Sequence, residues 1–62
     1  MYSLIGIDGN AFSVMRYVRE AMKKEDKSQE EIDKYLEDAQ LSDYNNLLCV
    51  SSDMIDKLNG KE

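Results

Sequence analysis

Asp8-Gly9-Asn10-Ala11-Phe12 marks the point at which the residue pattern changes from that of a strand to that of a helix. Before it, residues 2–7 form a short run of β-branched and aromatic residues. After it, apolar residues recur at helical spacing. Gly9 permits a turn with positive φ, and Asp8 or Asn10 can accept hydrogen bonds from the free N–H groups of a helix start. The junction therefore predicts a strand, a turn and a helix.

Three helices are expected after this strand, at about residues 10–24, 28–40 and 43–59. The predicted fold class is α+β and mostly α, with the order β-α-α-α in one small domain, 1–62. The apolar arc of the third helix is wide enough to touch both other helices. We therefore expect the third helix to form the centre of the core.

Capping residues support the two later helices. Ser28 with Glu31 three residues on is a capping box. Ser42 or Asp43 is a suitable N-cap for the third helix, and Asn59-Gly60 is a natural stop.

The residue inventory bounds the chemistry. One cysteine and no histidine exclude an internal disulfide, the usual zinc sites and histidine-activated nucleophiles. Cys49 is predicted to point away from the core, where no histidine can activate its thiol. No apolar run is long enough for a membrane span. We expect a cytoplasmic, non-enzymatic protein without metal or cofactor.

Charge is unevenly divided, although the net charge is −5. The second helix carries a cluster of carboxylates, here called the acidic face: Glu30, Asp33, Glu37 and Asp38. The first helix carries cations at helical spacing, here called the basic stripe: Arg16, Arg19, Lys23 and Lys27. Each can be a solvated surface, and the acidic face can also dock on a basic protein. Overall acidity disfavours binding to nucleic acid.

The predicted strand needs a partner for its backbone groups, because a single strand cannot pair its own N–H and C=O groups. That partner can be the same strand of a second copy, a sheet edge of another protein, or water. Alternation places Tyr2 and Leu4 on one side of the strand and Ile5 and Ile7 on the other, so both sides are apolar. We therefore expect Tyr2 and Leu4 to contact a partner, with strand addition as the mode.

Phe12 falls beside the main apolar arc of the first helix, towards the basic stripe. Two interpretations are open. The ring covers the strand or the helix start, or it is an exposed contact residue.

Segments across the chain together resemble a known protein group: Asp8-Gly9-Asn10-Ala11-Phe12, Glu30-Glu31-Ile32 with Ala39, and Ser42-Asp43-Tyr44-Asn45-Asn46-Leu47-Leu48. The pattern resembles that of very small bacterial, phage- and plasmid-encoded proteins that read roughly DGNAF, EEI and SGDYxHLL. This chain departs from the group by lacking the glycine before Asp43 and by having Asn46 where histidine is common. The resemblance implies a mobile-element context and no mechanism.

The expected function is that of a small acidic protein-interaction module, a phage or mobile-element accessory protein or an inhibitor. Its acidic face would dock on a basic surface of a host protein. A second copy, bound through the N-terminal strand, is the other expected partner. The alternative function is nucleic-acid binding through the basic stripe, which would weaken steeply with salt.

Overall fold

The fold is an all-α three-helix bundle in the computed structural model, which describes residues 1–60. The helices are α1 (Ala11–Lys24), α2 (Gln29–Ala39) and α3 (Tyr44–Leu58). α3 packs against α1 and α2 more extensively than those two pack against each other. It is the central helix, as its wide apolar arc predicts.

Each helix begins at a side-chain cap, and the caps are Asn10, Ser28 and Asp43. Their side-chain oxygens accept backbone N–H groups two or three residues further on, at 2.9–3.1 Å. These N–H groups have no acceptor within the helix, so the caps stabilise the first turns. The three helix predictions are confirmed to within one residue at each end. The bounds differ because the predictions counted capping residues as helical.

The predicted N-terminal strand is wrong, and with it the α+β fold class. Residues 1–9 contain turns and bends, and no strand occurs within residues 1–60. The chain turns at Gly6, whose φ of +87° is a conformation that favours glycine. A bend at this point prevents residues 2–7 from extending as a strand. Gly9, which the sequence pattern favoured for a positive φ, is not left-handed.

Side chains rather than a second strand pair the N-terminal backbone. The Tyr2 N–H donates to Asn59 Oδ1 at 2.8 Å, and Asn59 Nδ2 donates to the Tyr2 carbonyl oxygen at 2.8 Å. Two such bonds to one residue are what an antiparallel strand would supply. The Ser3 N–H donates to the Tyr17 hydroxyl at 2.9 Å. The Asn59 amide and the Tyr17 hydroxyl therefore hold the backbone of the N-terminal segment against the bundle.

The core is formed by one side of each helix. Its buried residues are Val14, Val18, Ala21, Met22, Ile32, Tyr35, Ala39, Leu47, Ser51 and Ile55. Tyr35 and Ser51 are the polar members, and their hydroxyl oxygens lie 2.6 Å apart across the α2–α3 interface. Burial raises the pKa of the Tyr35 hydroxyl, while the hydrogen bond to Ser51 acts in the opposite direction.

Candidate interaction surface

Phe12 is the most exposed aromatic side chain among the described residues, with 78% of its surface accessible. It is the second residue of α1, and its N–H donates to the Asn10 cap. A residue so placed lies outside the buried side of its helix. The interpretation in which Phe12 covers the N-terminal segment or the helix start is therefore wrong. A large exposed apolar side chain is a candidate contact residue.

Two hollows adjoin Phe12. The first, here called the tyrosine hollow, lies where the start of α1, the end of α2 and the start of α3 meet, and has a volume of about 310 Å³. Its apolar lining includes Ala11, Met15, Ala39 and Leu47. The Tyr44 hydroxyl on its rim donates to the carbonyl oxygen of Gly9, which fixes the corner before α1 against α3.

The second hollow, here called the arginine hollow, lies between α1 and α2 and has a volume of about 350 Å³. Its lining consists of Phe12, Met15, Arg16, Arg19, Leu36 and Gln40. Phe12, Met15 and Gln40 line both hollows. Together the hollows form a groove beside one exposed ring, with cations on one side of its α1–α2 portion.

The basic stripe is partly neutralised. Glu20 Oε2 lies 3.5 Å from Arg19 Nη2 and 3.8 Å from Lys23 Nζ. Lys27 lies beyond the end of α1, in the turn before α2. Arg16 is exposed on α1. Within residues 1–60, Arg19 Nε is buried without a hydrogen-bond partner, although the Arg19 side chain as a whole is 41% exposed.

The acidic face divides into two parts. Glu30, Asp33 and Glu37 are exposed. The two ion pairs within residues 1–60 both lie on α1, so no cation of these residues lies within ion-pairing distance of the three carboxylates. Asp38 is half-buried on the side of α2 towards α3. Its carbonyl oxygen accepts a hydrogen bond from Asn46 Nδ2 at 2.8 Å. The outward negative charge therefore belongs to the first three carboxylates.

Tyr2 and Leu4 are half-buried against the bundle's own core. The Tyr2 hydroxyl donates to the Glu25 carboxylate at 2.8 Å. That hydrogen bond is the main cause that raises the pKa of the Tyr2 hydroxyl, and the negative charge of Glu25 also contributes. These contacts tie the N-terminal segment to α1. Dimerisation through a strand loses its basis, because the strand does not form.

Some residues of the groove were not among the predicted contact residues. Leu36 lies at the edge of the buried side of α2, Gln40 is the C-cap residue of α2, and Tyr44 is the first residue of α3. The only sequence signal for these residues is an apolar or amphipathic side chain at the margin of a helix's apolar stripe. That signal does not distinguish a residue of the core from a residue on the rim of a groove. Cys49 is exposed as a free thiol, as its helical position predicts. Residues 1–60 hold no cluster of three metal-ligating side chains.

Comparison with protein-family models, with curated proteins and with solved structures finds no match for this chain. Among the described residues, no helix has both the length and the apolar character needed to cross a bilayer. By its fold and its surface, this chain belongs to the class of small three-helix domains with an apolar groove that charged side chains flank.

Proposed function

We propose that this protein is a non-enzymatic interaction module that docks on a basic surface of another protein. One observation carries the proposal, namely an apolar groove with an exposed Phe12 next to carboxylates that form no ion pair within residues 1–60. Helical spacing sets Asp33 three residues before Leu36 and Glu37 three residues before Gln40, and Leu36 and Gln40 line the groove. A partner that inserts an apolar side chain into the groove could also present cations to Asp33 and Glu37. Such a combination of a buried apolar anchor and a charged rim is the usual anatomy of a protein interface.

The resemblance to small phage- and plasmid-encoded proteins supports a role as a mobile-element accessory protein. In that role the acidic surface would act as an inhibitor by covering a basic, nucleic-acid-binding surface of a host defence or replication protein. The exposed thiol of Cys49 supports a reducing, cytoplasmic location.

Affinity capture from a lysate of the source cell tests the proposal. The tagged wild type should retain a basic protein, and Phe12→Ala should weaken that complex. Full burial of a phenylalanine is worth about 1.5–3 kcal/mol, so the affinity should fall by about 10- to 100-fold. A variant with Glu30, Asp33 and Glu37 all changed to lysine should lose the partner.

A control on another surface is Asp53→Lys with Asp56→Lys, which reverses two exposed carboxylates of α3 away from the groove. It should retain the partner. The proposal is wrong if no protein is captured, or if all of these variants retain the same amount of it as the wild type.

Titration of single- and double-stranded DNA and RNA at low salt tests the alternative function. Binding through the basic stripe would be abolished by Arg16→Glu.

A further inference from the structure

The surface formed jointly by α1 and α2 carries opposite charges on its two sides. Along α1, Phe12, Arg16, Arg19 and Lys23 follow one another at intervals of three or four residues, which places them on one side of the helix. Along α2, Asp33 and Glu37 do the same, and the C-cap residue Gln40 continues this row. The arginine hollow lies between these rows and has Leu36 and Met15 in its lining.

A surface of this kind is complementary to itself under one particular symmetry. If a two-fold axis runs parallel to the helices, α1 of each copy lies over α2 of the other, and cations meet carboxylates twice. An axis running across the helices would instead stack α1 on α1 and α2 on α2, with like charges opposed. We propose that the α1–α2 face binds a second copy of this chain with its two-fold axis along the helices.

The charges of the face support a second copy as its occupant. A second copy meets both rows with the opposite sign. The Arg19 guanidinium, which lines the arginine hollow, would be among the cations paired in this way.

A small interface would take up only part of the surface of each copy. A specific interface buries at least about 1,200 Å² in total, or about 600 Å² from each partner. The accessible surface is 4361 Å², so each copy needs to contribute about one-seventh of it. The exposed ring of Phe12 and the half-buried Leu36 supply apolar area at that face. This dimer is independent of the proposed function, although the two complexes would compete for one groove.

Sedimentation equilibrium of the pure protein tests the proposal. We expect a monomer–dimer equilibrium at concentrations up to about 1 mM, where even a dissociation constant of about 1 mM still populates the dimer. Raising the salt from about 0.01 M to about 1 M shortens the Debye length from about 30 Å to about 3 Å and should weaken the dimer at least tenfold. A strict monomer at low salt and about 1 mM overturns the proposal.

Charge reversal then assigns the face. The acidic-row variant Asp33→Lys with Glu37→Lys should be monomeric, although it lowers the overall negative charge that opposes self-association. The control Asp53→Lys with Asp56→Lys makes the same change in net charge on α3 and should dimerise at least as well as the wild type. Equal behaviour of these two variants would overturn the assignment, because only total charge would then matter.

Mixing variants tests the symmetry. The basic-row variant Arg16→Glu with Lys23→Glu should also be monomeric alone, since its α1 would face the carboxylates of the second copy. Mixed with the acidic-row variant, it should form a heterodimer at least tenfold more stable than either homodimer. Failure of the mixture to associate, with circular dichroism showing both variants folded, rejects the two-fold arrangement. Capture of a host protein by the wild type would be unaffected by that result, so the proposed function is judged separately.

Discussion

The buried hydroxyl pair of Tyr35 and Ser51 offers a prediction that can be worked quantitatively. Tyr35 is 2% exposed, Ser51 is fully buried, and their oxygens are 2.6 Å apart. Tyr35→Phe and Ser51→Ala each remove one partner while keeping nearly the same shape. Each change leaves the remaining hydroxyl buried without its partner, which costs about 1–3 kcal/mol of unfolding free energy.

The double variant should behave differently from the sum of the two single variants. With both hydroxyls gone, no polar group is left unpaired at the α2–α3 interface, and such a replacement can be nearly neutral. The total stability of a domain of this size is about 3–9 kcal/mol, so both single variants should still fold. We therefore expect single losses of about 1–3 kcal/mol and a loss below about 1 kcal/mol for the pair.

Urea denaturation followed by circular dichroism at the helix band measures all four proteins of this double-mutant cycle. A shift in the midpoint at constant slope would show that stability alone has changed. Additive losses would refute the reasoning, since they would mean that the two hydroxyls do not interact. Single losses below about 0.5 kcal/mol, the range of ordinary surface changes, would refute the assigned burial.

Two further predictions concern the N-terminal fastening and alkaline pH. Asn59→Asp should lower the free energy of unfolding by about 1–2 kcal/mol, because it replaces the donor to the Tyr2 carbonyl oxygen with an acceptor and puts negative charge at a helix C-terminus. In urea denaturation the exposed Asn45→Asp, at the end of α3 where negative charge is favourable, should lose nothing, and equal effects of the two changes would contradict the assignment. Folding raises the pKa of the Tyr35 hydroxyl. The stabilisation that this hydroxyl gives the folded state is therefore fully present below the unfolded pKa of about 10, and it is lost as the pH rises through the pKa of the folded state. Urea midpoints taken across the alkaline range should therefore fall less for Tyr35→Phe than for the wild type, and parallel curves would contradict this.

The helices were predictable because each level of the sequence agrees. Capping residues and apolar spacing coincide at α1, α2 and α3, α3 also ends at the stop Asn59-Gly60, and a local pattern of that kind needs no knowledge of distant contacts. The N-terminal segment failed for the opposite reason. Its β-branched residues indicate a strand, but strand formation depends on a partner, and the partner here is the side chain of Asn59, 57 positions away. A strand propensity cannot reveal that an asparagine amide will take the place of a second strand.

The candidate surface was predictable only in part. The charges of α1 and α2 and the anomalous position of Phe12 follow from helical spacing alone. Their arrangement around a shared groove does not, because it depends on how α1 rotates against α2 and on which edge residues, such as Leu36 and Gln40, reach the rim. Spacing also left Tyr2 and Leu4 open as contact residues, whereas the bundle itself covers them.

The charged and apolar parts of the α1–α2 face are not independent of each other. In the isolated chain the arginine hollow separates Arg16 from the carboxylates of α2, and the surrounding water weakens their attraction. An apolar group that fills the hollow excludes this water and lowers the local dielectric, which strengthens every ion pair formed at the rim. Phe12 stands where it can contribute such a group to a bound partner. Burial of the ring and pairing of the charges should therefore stabilise a complex cooperatively, and neither the ring nor the charges alone would account for its affinity.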